Sequence, residues 1–392
     1  LEIVLWTIAA LLALQLLFAM WNIRQLPMFA RLGSNVHSVS NNTDRMAAKG
    51  SNEMPLSILI PARNEEHNII ACLQSIQHAL MEDGAGENVE VIVLDDRSED
   101  GTARMVELLC KEDSRFKLGR GAEPPVGWVG KAYACHQLAE LAKGRWLLFV
   151  DADARLLPGA VAAVKHITIA RETGMISGFP LQQTESWLEK LIVPMMGFTI
   201  ACHLPIKLVA STSDARFSAA HGAWIAISRL SYDAAGGHEA SRGHLVDDVA
   251  LMRAVKKVKH PVILADVRQQ VTMRMYRNAS EVWNGYKKNI YAGVGRSGWL
   301  LFAVLASYAL LYLLPFAFIF VSIFLPSLFL SALTAYVLGV AVKATADRMQ
   351  GQSVWLAWLI PFSILATIAI GTASWRSAKA GAGYVWKGRS YE

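Results

Sequence analysis

Asp151 and Asp153 stand one residue apart in FVDADARLLPG, directly after the apolar run Trp146-Leu147-Leu148-Phe149-Val150. Carboxylates are seldom buried unless they are paired or hold a metal. A hard divalent cation such as Mg²⁺ takes one or two carboxylates together with substrate phosphates. Bound there, it acts as a Lewis acid on a leaving phosphate. The same pair also suits a solvated turn whose aspartates cap the next helix. Fourteen aspartates in 392 residues give about half of one Asp-x-Asp match by composition alone. Spacing therefore does not decide between the two, and the elements that position the pair must.

Those elements alternate. Short apolar runs at 57–60, 89–94, 116–118 and 145–150 read as strands. Residues 65–80, 101–112 and 131–142 read as helices. Continuous apolar strands separated by helices predict a mostly parallel sheet with helices on both faces. In such a sheet, ligands bind beyond the carboxyl ends of the strands. Pro61-Ala62-Arg63-Asn64-Glu65, Asp95-Asp96-Arg97-Ser98 and Asp151-Ala152-Asp153 follow the first, second and fourth strands and project onto one rim. Acidic groups at separate strand ends repel when close and raise one another's pKa values. A bound cation removes that penalty.

The chain is 53% hydrophobic and has a mean hydropathy of +0.30, too apolar for an ordinary soluble enzyme. The excess lies in 3–21 and 299–372, both long enough for bilayer crossings of roughly 20 residues each. The first run has no basic region ahead of it and no small-x-small cleavage site after it, so it reads as an anchor rather than a signal peptide. Arg24, Arg31, Arg45 and Lys49 follow it, which places the N-terminus outside and the next segment in the cytoplasm. Residues 24–55, rich in Ser and Asn from Gly33 onward, read as a flexible tether.

Residues 278–298 mix Val282, Trp283, Tyr286 and Ile290 with Lys287 and Lys288, the pattern of an interfacial amphipathic helix. Residues 299–375 read as a transmembrane region of two to three helices interrupted near Pro326, and 376–392 as a basic C-terminal tail. One crossing plus three puts the tail outside, whereas Arg376, Lys379, Lys387 and Arg389 argue for inside. The apolar stretch 187–209 reads as interfacial, because a crossing there would split the α/β domain across the bilayer. Cys72, Cys110, Cys135 and Cys202 show no CxxC spacing and read as free thiols of a cytoplasmic domain. The net charge of +6 suits anionic lipid or a phosphorylated substrate better than nucleic acid.

Taken in order, PARNEEHNI, VLDDRSEDGT, GKAYACHQLAELAKGRWLLFVDAD and LVDDVALMRAV resemble the family 2 glycosyltransferases over residues 56–276. The resemblance implies a nucleotide-diphosphosugar-binding α/β domain of the GT-A type over 56–277. GWVGKAYAC and Val385-Trp386-Lys387-Gly388-Arg389 look most like the membrane-bound members that glycosylate carotenoids and other polyisoprenoid lipids.

It also implies roles. Pro61, Arg63 and Glu65 would line the nucleotide site, and Asp96 would accept the N3–H of uracil, selecting UDP. Lys131, just after Gly130 at a helix opening, would reach the diphosphate, which the helix N-terminus also favours. Asp151 would contact ribose or metal. Asp153 would ligate Mg²⁺ or Mn²⁺ bridging the diphosphate. Asp248 would take the proton of the acceptor hydroxyl as its oxygen attacks the anomeric carbon. Asp247 replaces the more usual Glu beside it. Gly222, Ala223, Asp247, Arg274 and Arg277 would lie on the acceptor or phosphate side. Helix-dipole compensation also accounts for Asp247-Asp248.

The implied protein is a multi-pass membrane enzyme with its catalytic domain in the cytoplasm. It would transfer a sugar, glucose, from a UDP-sugar to a hydroxyl or carboxyl of a membrane lipid, with inversion. A processive polysaccharide synthase is the nearest rival. It would carry Gln-x-x-Arg-Trp, where this chain has Gln269-Gln270-Val271-Thr272-Met273-Arg274-Met275. A haloacid-dehalogenase-like phosphatase would want Thr or Val where Arg155 stands. A transporter would carry ionisable residues in its spans, which this reading finds almost bare. A membrane scaffold with a degenerate nucleotide-sugar fold would not keep every acidic position filled.

Overall fold

The computed structural model describes residues 1–34, 54–82 and 86–381, and the backbone of 384–386 and 389–391. The chain forms two compact units. One comprises Leu26–Leu181 and Lys207–Arg274, the other Leu1–Gln25, Gln182–Ile206 and Met275–Glu392.

The first unit holds the strands β1 (Leu56–Ala62), β2 (Val89–Asp95), β3 (Phe116–Arg120), β4 (Trp146–Val150), β5 (Ala154–Leu156) and β6 (Met175–Phe179). β7 (Leu181–Gln182) follows at the junction, then β8 (Trp224–Ser228), β9 (Val262–Asp266) and β10 (Val271–Met273). Seven of them form a sheet of order β3-β2-β1-β4-β8-β6-β9. All its pairings are parallel except those of β8, which runs antiparallel to β4 and β6. This is the mostly parallel α/β sheet expected from the alternation of apolar runs and helices.

β2 and β4 are buried along their whole length, and β1 at every position but Pro61. A strand covered on both faces has no polar side, which is why these segments read as unbroken apolar runs. Glu90 is the exception in β2. Its carboxylate accepts from Ser57 Oγ, Lys117 Nζ and the Lys143 amide, each at 2.7 Å.

Because β8 is antiparallel, Trp224 at its start pairs with Val150 at the end of β4. The start of β8 therefore reaches the same rim as the carboxyl ends of β1, β2 and β4. The short β5 follows Asp153 and pairs antiparallel with β10. The tether begins later than expected. Phe29–Ser34 is helical, Phe29 is buried edge-on against Trp224, and Met28 bridges to Asp266. An aromatic with a partner in the core does not behave as linker. The rest of the expected tether, 35–53, lies outside the described residues.

The second unit contains four helices long and apolar enough to cross a membrane: Glu2–Ile23, Gly298–Val321, Pro326–Gln350 and Val354–Lys379. Large apolar side chains such as Ile3, Leu14, Leu17, Phe302 and Leu330 are exposed on them, as on helices that face lipid. Pro315 does not break its helix, since a wider turn at Ala309–Leu313 precedes it and takes up the missing amide.

The stretch expected to be interfacial is three short helices, Trp187–Ile192, Met195–His203 and Ile206–Ser211. Its first part, up to Ile206, belongs with the long helices rather than with the α/β unit. Buried Asn22 mends the break at Pro205. Its Nδ2 donates to Ala201 O (3.0 Å) and Leu204 O (2.7 Å), and its Oδ1 accepts from the Ile206 amide (2.7 Å). The spans are also less bare of charge than the sequence reading held. The third long helix continues past Val342 and carries Lys343 and Asp347, buried and ion-paired one turn apart.

Candidate active site

The loops after β1 and β2 are laced together. The Asn64 amide donates to Ser98 Oγ, the Glu65 amide to Thr102 Oγ1 and the Glu66 amide to Asp100 Oδ2. In return the Glu99 amide donates to Asn64 Oδ1 and the Gly101 amide to Glu66 Oε2. Asn64 and Arg97 hold the left-handed turns that these bonds require, with φ of 51° and 59°.

The acidic residues of the second loop thus divide by task. Asp95 accepts from the Ser98 amide and pairs with Arg120 at 3.0 Å. Asp100 caps the helix Thr102–Glu112 through Thr102. Asp96 sits between them, 3% exposed. Arg63 is buried, and its Nη1 donates to the carbonyls of Asp96 and Arg97, both at 2.8 Å. It buttresses the loop that carries Asp96. Pro61 lies within β1, opposite Leu94. Glu65 Oε2 accepts from Asn68 Nδ2 at 2.8 Å.

Lys131, Asp151 and Asp248 come together around Gly222. Lys131 occupies the first turn of the helix Gly130–Leu141, and its Nζ lies 2.6 Å from Asp151 Oδ1. A Cβ built on Gly222 would stand 3.0 Å from Lys131 Nζ, 3.7 Å from Asp248 Oδ2 and 3.9 Å from Asp151 Oδ2. A side chain there would push the ammonium aside by a few tenths of an ångström and enter the space that these three groups share. Asp247 and Asp248 open the helix Asp247–Lys257, and Asp248 Oδ1 accepts from the Val249 amide at 2.7 Å.

The electrostatics follow from that convergence. Burial alone would lower the Lys131 ammonium. The Asp151 and Asp247 carboxylates outweigh it and hold the group well above its ordinary value. Burial raises the Asp248 carboxyl, the Asp247 charge adds to it, and the group is pushed up to about 7. Cys72 is buried with its Sγ turned to the Asp151 carbonyl. Burial first, opposed by Arg155 and then reinforced by Asp153, pushes its thiol up to about 12. It is inert, and Cys135 and Cys202 are likewise buried free thiols, while Cys110 is partly exposed.

Asp153 follows Asp151 in the turn that leads into β5. Ala223 is buried at the start of β8. Of the two arginines expected on the phosphate side, Arg274 ends the α/β unit. Arg277 belongs to the helical unit, where its amide donates to Glu281 Oε2 at 2.8 Å. The domain end expected at 277 thus falls at Arg274.

Two residues escaped the sequence reading. Lys256 sits on the buried side of the Asp248 helix. Its Nζ donates to the carbonyls of Phe217 (2.6 Å), Thr212 (3.1 Å) and Asp214 (3.3 Å), clasping the chain just ahead of Gly222. The available signal was a lysine next to Val255, on the apolar stripe of an amphipathic helix. The second is His221, 5% exposed and adjacent to Gly222. No spacing rule marks a lone histidine.

Residues 57–192 match the model of glycosyl transferase family 2. The chain is 27% identical over 263 residues to 4,4'-diaponeurosporenoate glycosyltransferase of Staphylococcus aureus (strain USA300), spanning 66% of this chain and 67% of that protein. The protein of the same name from strain N315 is 27% identical over 248 residues, 62% of this chain and 63% of that one. Among solved structures, the mannosyltransferase PcManGT from Pyrobaculum calidifontis, in complex with GDP-Man and Mn²⁺, superposes with a TM-score of 0.51. The two share 18% identity over 95% of this chain and 98% of the other, a likeness of fold. These likenesses give the chain a GT-A-like α/β domain, residues 57–192 of which match glycosyl transferase family 2, and a distant similarity to 4,4'-diaponeurosporenoate glycosyltransferase.

Proposed function

We propose that this enzyme transfers glucose from UDP-glucose to a hydroxyl or carboxyl of a membrane lipid, a carotenoid or another polyisoprenoid. The observation that carries the reading is the convergence of Lys131, Asp151 and Asp248 on Gly222. A diphosphate ligand, its counter-ion and an acceptor base must meet within a few ångströms, and these are the residue types each task needs.

The donor set suits Mg²⁺ or Mn²⁺. Asp151 and Asp153 offer hard carboxylate oxygen at a strand end, and the ammonium standing on Asp151 supports a place for positive charge there. Among the described residues, no group of three His, Cys, Asp or Glu side chains forms a closed metal site. Two carboxylates with the substrate's own phosphates match that count. When bound, the cation neutralises charge on the leaving diphosphate.

The chain's own residues account for the rest. Asp96, on the loop that Arg63 buttresses, takes the uracil edge. Lys131 turns its charge to the diphosphate at the N-terminus of its helix. Asp248 accepts the acceptor's proton while the acceptor oxygen bonds to the anomeric carbon and the bond from that carbon to the diphosphate oxygen breaks. Attack opposite the leaving group inverts the centre, as in the family.

Four apolar helices in the same chain support a membrane-borne acceptor. The cytoplasmic side, where nucleotide sugars are held, is the orientation proposed for the α/β unit. Incubating membranes that contain the protein with labelled UDP-sugars, then analysing the lipid extract by mass spectrometry, tests the reading. A hexosylated lipid made from UDP-glucose supports it. A labelled water-soluble polymer without labelled lipid replaces it with a synthase.

A further inference from the structure

His221 is a buried donor at the centre of the site. Its Nδ1 accepts the Ala223 amide N–H at 3.2 Å, which puts the ring proton on Nε2. Burial lowers its pKa to about 4, with Asp151 opposing and Lys131 assisting, so the ring is neutral at physiological pH. Nε2–H is itself buried and has no hydrogen-bond partner among the described residues. A buried N–H without a partner is costly to the folded state.

The ring is also held in place. The His221 amide donates to Ser177 Oγ at 2.9 Å, Phe179 packs edge-on against the imidazole, and Lys256 clasps the preceding loop. The next residue is Gly222, where Lys131, Asp151 and Asp248 converge. The ring is close enough to Asp151 and Lys131 to feel both charges, so this fixed donor lies beside the groups proposed to hold the diphosphate and to take the acceptor proton.

We propose that His221 reads the donor sugar: its Nε2–H donates to a hydroxyl oxygen of the hexose. A neutral N–H suits a hydroxyl, whereas the anionic diphosphate already has Lys131. The inference rests on the nucleotide-sugar reading above.

Two substitutions isolate the contact. In His221→Asn the amide oxygen retains an acceptor for Ala223 N–H, but nothing reaches the position of Nε2. In His221→Gln the amide nitrogen falls near that position. With the full-length protein in detergent, His221→Asn is expected to raise KM for the nucleotide sugar about tenfold, the loss of one good hydrogen bond. Its Kd for UDP, by calorimetry, and its melting temperature are expected to stay at wild-type values. His221→Gln is expected to recover most of the KM.

An unchanged KM in His221→Asn overturns the role. So does a KM increase matched by equal weakening of UDP, which would make the histidine a builder of the loop alone. A wild-type protein that binds no UDP overturns the donor reading itself and is told apart by the calorimetry.

Discussion

Lys131 Nζ and Asp151 Oδ1 are 2.6 Å apart, so an internal cation stands on the first carboxylate of the Asp-x-Asp pair. In the site proposed for a divalent ion and a diphosphate, that lysine would have two alternative partners. Replacing it removes a ligand for one and a competitor for the other. Lys131→Met should therefore weaken UDP binding at saturating Mn²⁺ by about tenfold to a hundredfold, the scale of a charge-assisted hydrogen bond lost from a half-buried place. Mn²⁺ alone, titrated by electron paramagnetic resonance without nucleotide, should bind at least as tightly as to wild type. Weaker Mn²⁺ binding would show that the lysine supports the metal rather than opposing it.

Asp153→Asn tests the metal assignment directly. An amide oxygen is a poorer ligand than a carboxylate and brings no charge. Calorimetry should find that Mn²⁺ no longer strengthens UDP binding, leaving the weak metal-free affinity. A full metal effect in the variant would move the ligand role elsewhere.

Asp248, the proposed base, should set the pH dependence. Its carboxyl is raised to about 7 by burial and by Asp247, and only the ionised form is a base. In the free enzyme kcat/KM should climb about tenfold per pH unit below that value and level off above it. The stability term has the opposite sign. The folded state holds this proton more tightly than the unfolded chain does, so ionising the group costs stability as pH rises from the ordinary carboxylate range to about 7. Asp248→Asn should keep UDP binding and lower turnover by about 10² to 10⁴. Undiminished turnover would remove it from the base role.

Asn22 supports the helical unit in the same way that Lys256 supports the site loop, through backbone groups. Asn22→Leu keeps the branched shape but leaves the Ile206 amide and two carbonyls to find other partners. About 2–4 kcal/mol of stability should be lost, read as a lower melting temperature in detergent. An unshifted melting temperature would mean that water reaches this break freely.

The sheet was legible because its central strands are covered on both faces, so β1, β2 and β4 are apolar apart from Ser57, Glu90 and the terminal Asp95. The rim was legible because charge is conspicuous where an apolar strand stops, as at Val150-Asp151. Sequence reasoning grouped the Arg63 and Asp96 loops correctly but could not see that Arg63 spends its guanidinium on backbone carbonyls. It singled out Asp96 through the resemblance, but the loop-holding bonds of Asp95 and Asp100 became visible only in the structure. Hydrogen bonds to the main chain leave no pattern of spacing. His221 was invisible for the same reason, since its meaning lies in what its ring nitrogen lacks. The apolar stretch 187–209 was read as interfacial, and its division into three short helices was not legible because periodicity cannot report which neighbours a broken helix will find.

The two units alternate along the chain, which passes between them after Gln25, Leu181, Ile206 and Arg274. β8 lies between β4 and β6 in the sheet but is made after both, and after the segment Gln182–Ile206 that belongs with the membrane-type helices. During synthesis the sheet therefore has a missing middle strand until that excursion has ended. Its closure waits on the ribosome and on whatever receives the apolar segment. No single proteolytic cut can release a complete α/β unit, because one half of its rim is encoded on each side of the detour. Completion of the sheet is in this sense tied to the fate of the apolar detour, and a fragment holding the whole α/β unit would have to be built by shortening that detour rather than by removing an end.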